Sequence, residues 1–237
     1  MRVVVLGHTG LLGHMVYKYL STKDDCELIT TESRWPSDEF RNFVLDFNGD
    51  FVVNCIGAIH QRTSEFGVNT DLTILLDELN KDFKIIHPGT DCEIDDDDYG
   101  ISKREAADYL LTEGKDTTII KTSIIGPELN TQASLLEWFL DQKEEIFGYT
   151  KAMWNGNTTL QWAKQCLHLM KNWRAYSNIE ILEGEGWQFQ LENCLPWLLK
   201  KGMVFDIKKE EFHRLIRGVT PLKCRIYKHG DSTTTES

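Results

Sequence analysis

Short apolar runs alternate with amphipathic stretches through the first half of the chain, and the two periods are easy to separate. Arg2–Leu6 carries three consecutive valines and a leucine, the pattern of a strand buried on both faces. Similar runs predict strands near 26–30, 42–46, 51–56, 83–87 and 117–125. Between them, apolar residues at i, i+3 and i+4 predict helices near 11–21, 68–81 and 99–112. Such alternation predicts an α/β fold with a doubly wound parallel sheet. Only a short polar turn separates Asp46 from Phe51, too little for a helix between the two strands expected there.

The second half is less regular. Ser134–Gln142 and Thr158–Lys171 have helical spacing, Ile179–Leu182 reads as a strand, and Leu191–Lys200 as a helix started or kinked by Pro196. Asp231–Ser237 is polar and low in complexity, the composition of a disordered tail. The expected organisation is a first domain over 1–125, a small lobe partly interleaved with it over 126–230, and the tail.

Gly7, Gly10 and Gly13 follow the first strand directly and precede a helix, giving G-x-x-G-x-x-G. Glycines let a strand-to-helix turn close tightly and bring backbone amides and the positive helix end against a diphosphate. The loop Gly7, Thr9, Gly10, Leu11, Leu12 and Gly13 is therefore the expected dinucleotide-binding turn. The second strand should end near Thr30, beside the adenosine ribose. Glu32, about 20 residues after the last glycine, suits the 2′-hydroxyl of NAD, whereas Arg34, flanked by Thr31 and Ser33, suits the 2′-phosphate of NADP. The arginine among hydroxyls favours NADP(H), with NAD(H) open as the alternative.

Tyr99 and Lys103 stand four residues apart, one turn of a helix and roughly 6 Å of rise, so they project from one face. An ammonium beside a phenol, together with an oxidised nicotinamide ring, eases proton exchange from a group whose free pKa is about 10.

The glycine loop followed by Tyr99-Gly100-Ile101-Ser102-Lys103 resembles the extended short-chain dehydrogenase/reductase superfamily. Further segments are similar to the dTDP-4-dehydrorhamnose reductase family and related nucleotide-sugar 4-ketoreductases, over roughly the first 170 residues. Asn54-Cys55-Ile56-Gly57-Ala58 resembles the family segment beside the cofactor, which implicates Cys55, Ile56 and Gly57. His87-Pro88-Gly89-Thr90-Asp91-Cys92 resembles the segment supplying the catalytic hydroxyl, Thr90, with Asp91 toward substrate. Lys121-Thr122-Ser123-Ile124-Ile125-Gly126 resembles the strand passing the nicotinamide, which implicates Thr122 and Ser123. Trp154-Asn155-Gly156-Asn157-Thr158-Thr159 resembles the return to the substrate half, with Trp154 against substrate, and Asp46 matches the position near the adenine.

The resemblance implies that NADPH or NADH reduces the ketone of a nucleotide-linked 4-keto-6-deoxy sugar. Tyr99 would protonate the alkoxide, Lys103 would tune Tyr99 and hold the nicotinamide ribose, and Thr90 would bond the carbonyl oxygen. The sibling 4,6-dehydratases place glutamate directly after Thr-Asp, where this chain has Cys92, and the 4-epimerases usually carry serine at the Thr90 position; both are disfavoured. Two alternatives remain: an NADP-binding regulatory subunit, and a combined epimerase and reductase using acid/base groups such as Cys92 or His60. The segment between Thr90 and Tyr99 is shorter than usual in the family and nearly all acidic. Asp95–Asp98 reads as a solvated turn into the Tyr99 helix, and no metal site is expected.

The chain has 237 residues and a net charge of −11, so its overall field repels nucleic acid. Six scattered cysteines form no C-x-x-C pair. The first apolar run is short and already contains Gly7 and His8, so no signal peptide is expected and a reducing cytoplasm is the expected location. No run approaches the roughly 20 residues of a membrane span. Five of the seven tryptophans fall between 138 and 187, and most are expected in core or dimer contacts, a homodimer being the state the family implies.

Overall fold

A computed structural model describes residues 1–80, 82–143 and 156–173, together with short strands at 146–147, 179–181, 203–205, 223–224 and 226–228. The first apolar run forms β1 (Arg2–Leu6), followed by α1 (Gly13–Leu20), β2 (Glu27–Ile29), α2 (Asp38–Leu45), β3 (Phe51–Asn54), α3 (Gly67–Leu79) and β4 (Lys84–Gly89). Then come α4 (Asp98–Thr112), β5 (Thr117–Lys121), β6 (Ile124–Ile125), α5 (Leu135–Asp141), β7 (Ile146–Phe147), β8 (Asn157–Thr158), α6 (Thr159–Lys171) and β9 (Ile179–Ile181). Six strands make one parallel sheet in the order β2-β1-β3-β4-β5-β9.

Period-two alternation divides the sheet's apolar residues between two helical layers. Val3 and Val5 of β1, Val53 of β3, Ile86 of β4 and Ile120 of β5 share a core with Val16 and Leu20 of α1 and with Trp162, Cys166 and Leu169 of α6. On the other face, Val4, Leu6, Val52 and Ile85 meet Phe40 and Val44 of α2 and Leu72 and Leu76 of α3. Ile119 packs on Ala107 and Leu110 of α4. Trp162 is the largest side chain sealed from solvent, so this indole is core, as its helical spacing predicts. At the amino ends of the strands, the Arg2 amide donates to the Asp50 carboxylate at 2.7 Å and the Asp50 amide to the Arg2 carbonyl at 2.8 Å.

The strand expected at 42–46 does not form: Asp38–Leu45 is helix α2. Ser37 caps it, its hydroxyl accepting the Phe40 amide at 3.1 Å, and Asp38 and Glu39 lie in the first turn, where acidic residues suit the helix dipole. Phe40 and Val44, one turn apart, are both buried on the sheet. The crossover that seemed too short between Asp46 and Phe51 is α2 itself, carrying the chain from β2 to β3. A three-residue apolar run such as Phe43-Val44-Leu45 fits either period, and the cap decides between them.

With that strand absent, β2 is the edge and the strand order turns back between β1 and β3. Ligands of open α/β sheets bind at such a switch point, beyond the carboxyl ends of the strands. Among the described residues no helix is long and apolar enough to cross a membrane. The expected Leu191–Lys200 helix, the terminal tail and most of the small lobe lie outside the described residues.

Ser37→Ala removes the cap of α2 and lowers unfolding free energy by about 1 kcal/mol, whereas Ser37→Asp keeps it; urea unfolding of both variants measures the difference.

Candidate active site

The glycine loop occupies the switch point. Gly7 has φ +71°, a left-handed conformation that L side chains rarely adopt, and a Cβ there would stand 3.0 Å from the Cys55 backbone at the end of β3. A Cβ on Gly13 would come within 2.0 Å of the Gly7 carbonyl oxygen, so α1 can start this close to β1 only with glycine. The Gly10 amide donates to the Gly7 carbonyl at 2.9 Å and the His14 amide to the Gly10 carbonyl at 3.1 Å. Around Gly10 only the Gly7 oxygen, at 3.3 Å, would meet an added Cβ, which leaves the outer side of the turn open. A backbone turn stripped of side chains at a helix start fits a diphosphate.

Cys55 and Ile56 line the other wall, at the end of β3. The Cys55 amide donates to the Leu6 carbonyl at 3.0 Å, and the Ile56 amide donates to the Asn54 side chain at 3.0 Å. Burial pushes the Cys55 thiol well above its ordinary range, so it is a packing residue. Beyond β2, the carboxylate of Glu32 reaches His8 of the glycine loop at 3.4 Å, and Arg34 is exposed, with no ion pair among the described residues. Asp46 is elsewhere. It is the C-cap of α2 and leads into the amino end of β3, whereas the glycine loop follows the carboxyl end of β1. Its expected place near the adenine depended on the strand that does not form.

Thr90, Tyr99 and Lys103 converge at the carboxyl end of β4. Thr90 leaves β4 in extended conformation and opens a 3-10 turn over Asp91–Ile94 with a capping box: its hydroxyl accepts the Cys92 amide at 3.2 Å, and Glu93 accepts the Thr90 amide at 3.2 Å. Asp97 then caps α4, accepting the Gly100 amide at 2.6 Å. The acidic turn thus serves the helix start, with Asp97 at the cap and Asp98 in the first turn. Among the described residues no three His, Cys, Asp or Glu side chains are placed to hold a metal ion.

Tyr99, in the first turn of α4, hydrogen-bonds with Thr90. Burial raises its pKa above the usual phenol value; the Thr90 hydrogen bond works against the shift, while Cys92, Asp91 and Glu93 add to it. In the protein alone the phenol therefore holds its proton firmly, the state a proton donor needs. One turn on, Lys103 is 9% exposed and donates to the Pro88 carbonyl at 2.8 Å. Burial brings its pKa down to about 8, with the Glu93 carboxylate opposing the shift. Glu93 is itself held by Lys121 at 2.6 Å.

Asp91 and Ser123 are joined across the site. Ser123 donates to the Asp91 carboxylate in a short contact, and the Thr90 hydroxyl donates to the same oxygen at 3.3 Å. Asp91 therefore orients the Thr90 hydroxyl and ties the end of β4 to the segment after β5. Thr122 is buried and accepts from Asn157 at 3.4 Å, which fastens β6 to β8. Trp154 lies outside the described residues.

Two buried side-chain amides brace the site in ways the sequence did not show. Asn69 of α3 accepts the Ala58 amide at 2.8 Å and donates to the Ala58 carbonyl at 3.2 Å and the Ser102 hydroxyl at 3.1 Å, binding the loop after β3 to α4. Asn54 meets His87 at 3.2 Å, and burial, with Lys103 nearby, keeps that imidazole neutral. Asn54 opens the segment matched beside the cofactor, but its pairing with His87, like the role of Asn69, is revealed only by the three-dimensional arrangement.

No family model and no curated protein sequence matches the chain. Its fold is similar to the dTDP-4-dehydrorhamnose reductase of Clostridium acetobutylicum, with TM-score 0.61 and 16% identity, covering 82% of this chain and 80% of that one. A hypothetical dTDP-4-dehydrorhamnose reductase from Sulfolobus tokodaii gives TM-score 0.62 and 19% identity, with 84% and 82% covered. The dTDP-glucose 4,6-dehydratase of Bacillus anthracis, solved with NAD, gives 0.61 and 15%, with 89% and 83% covered. The chain has a Rossmann-type α/β fold, the fold these solved structures share.

A lysine whose folded pKa of about 8 lies below its unfolded value near 10.4 is charged at a cost to the folded state. That cost is complete below pH 8 and fades as pH rises through about 10.4, above which both states are neutral. The stability of Lys103→Met relative to the natural protein should accordingly fall by on the order of 3 kcal/mol between pH 7 and pH 10.5, as urea unfolding at the two pH values measures.

Proposed function

We propose that this protein reduces the ketone of a nucleotide-linked 4-keto-6-deoxy sugar with NADPH, or with NADH as the second choice. The observation carrying this reading is the convergence of Thr90, Tyr99 and buried Lys103 at the end of β4, beside a glycine turn fit for a diphosphate at the sheet's switch point. The similar folds named above include two dTDP-4-dehydrorhamnose reductases, which support the substrate class.

When bound, a reduced nicotinamide supplies hydride to the carbonyl carbon. Charge then develops on the carbonyl oxygen, and Tyr99 donates its proton there. Thr90 lies beside that phenol, and Asp91 fixes the rotation of its hydroxyl. A donor already in position, as Tyr99 is, lowers the barrier because it does not have to reorganise as charge appears; one such donor contributes roughly 3 kcal/mol in comparable sites. Lys103 keeps positive charge under the tyrosine and the nicotinamide ribose, and in the protein alone the Pro88 carbonyl holds it in place. Cys92, at the position where a dehydratase has its glutamate, has a thiol whose pKa burial raises, so it stays protonated and does not act as a base. The segment after Ser123 and the region around Trp154 complete the substrate side in this reading, as a small lobe over 126–230. Arg34, exposed beyond β2, is the residue proposed to favour the 2′-phosphate of NADPH over the competing Glu32.

Turnover is followed as NADPH oxidation with freshly generated dTDP- and UDP-4-keto-6-deoxy-glucose. Tyr99→Phe should lower kcat by about 10²–10⁴-fold with cofactor affinity kept; tight NADPH binding with no turnover on any keto sugar would instead point to a regulatory subunit. Arg34→Ala should raise the Kd for NADPH about tenfold and leave that for NADH nearly unchanged, a loss of one charge-assisted contact that calorimetry measures.

A further inference from the structure

The loop after β3 is tied to two other parts of the chain through His60 and Arg62. His60 Nε2 lies 3.0 Å from Asp97, and Arg62 lies 2.7 Å from Glu128 and 2.5 Å from the Thr131 hydroxyl. Glu128 is a firm anchor. Its carboxylate is 1% exposed and accepts the Ala133 and Ser134 amides at 2.8 and 3.1 Å, just before α5. The loop therefore links the start of the Tyr99 helix to the segment leading to α5.

At the Tyr99 end the link is close to the chemistry. The His60 ring packs against Tyr99 with centroids 5.1 Å apart and against Phe66 at 5.0 Å, while Phe66 and Tyr99 meet edge-on at 5.7 Å. Phe66 is buried, whereas the His60 and Asp97 side chains are about half exposed. One Asp97 oxygen caps the Gly100 amide and the other meets His60. His60 thus touches the phenol ring directly and reaches, through Asp97, the backbone turn that carries it. An imidazole Nε2–H donates to a carboxylate in the neutral tautomer or in the cation, so the link does not need a charged histidine.

We infer that His60 is a positioning residue: its contacts with Asp97 and with the Tyr99 ring set the angle at which the phenol meets the carbonyl oxygen of the substrate. The assignment rests on the proposed ketone reduction, and its geometric part is open to measurement without substrate. Half-exposed, His60 is available to do this without being part of a core. A tilt of the phenol of about 1 Å is enough to slow a proton transfer roughly 10²-fold, so a modest loss of support has a visible effect on rate.

The test uses protein labelled with carbon-13 at tyrosine Cζ, the Tyr99 resonance being identified by its loss in Tyr99→Phe. His60→Ala should move that resonance and lower kcat about tenfold at nearly constant KM, the signature of a misplaced reacting group. Asp97→Ser keeps a helix cap but removes the carboxylate that meets His60. It should reproduce both effects, and the double variant should add little to either single one. His60→Gln, whose amide can donate to Asp97, should recover most of the rate. A Tyr99 resonance unmoved by His60→Ala overturns the proposal. So does a His60→Gln variant as slow as His60→Ala beside a fully active Asp97→Ser, which would make His60 a group acting on the substrate itself. If the natural protein reduces no keto sugar, the proposed reaction fails, while the resonance shifts still decide whether His60 positions Tyr99.

Discussion

A buried ammonium governs the architecture around this site. Lys103 has given up nearly all of its hydration, and in the protein alone a backbone carbonyl is its hydrogen-bond acceptor. Such a charge is tolerable only if its surroundings do not move, and the neighbouring contacts supply that rigidity. Glu93 is locked by the Thr90 amide and Lys121 within reach of the field at Lys103. The helix that carries Lys103 is capped by Asp97 and tied to α3 where Thr70 donates to the Ser102 carbonyl at 2.9 Å and Asn69 to the Ser102 hydroxyl. These polar links surround Lys103 on elements belonging to one side of the sheet, and together they make a small, stiff enclosure for one charge.

The same enclosure explains the division of labour between Tyr99 and its neighbours. Carboxylates at Asp91 and Glu93 help keep the phenol protonated, yet both are occupied with structural hydrogen bonds. Asp91 in particular carries the hydroxyls of Thr90 and Ser123 and so connects two strand ends that the sheet alone would leave independent. In the proposed reaction these acidic residues would prepare a donor by setting charge and geometry rather than by taking protons. The glycine turn works by the opposite means: it contributes open backbone, made possible by the missing side chains of Gly7 and Gly13.

Much of this was legible in the sequence because it rests on local rules. The strands β1, β3, β4 and β5, the helices α1, α3, α4 and α6, and the Tyr99–Lys103 face all follow from period and spacing. Helix α2 departs from the expected strand because three apolar residues in a row carry no period, while the Ser37-Asp38-Glu39 start is the local signal that decides for a helix. Asp46 went astray with it. The polar clamps at Asn54 and Asn69 could not be read from local spacing, since each pairs with a residue 33 positions away whose meeting depends on how the elements pack, whereas the Thr90–Glu93 capping box is local and could have been. His60 was noticed as a possible acid/base group, but its partner, Asp97, lay hidden in what read as a solvated acidic turn.

The alternation of Val3 and Val5 against Val4 and Leu6 leaves β1 apolar on both faces, so burial is degenerate with respect to register. Sliding the strand by one residue would exchange the two faces at almost no hydrophobic cost, whereas a strand with one polar face would resist it. What breaks the degeneracy is polar and terminal: the paired contacts of Arg2 with Asp50 at one end and the backbone approach of Gly7 to Cys55 at the other. Because strands shift only by whole residues of about 3.3 Å, the placement of the glycine turn is quantised. The glycine end of the site is either in register or displaced by a full residue, with no graded state between.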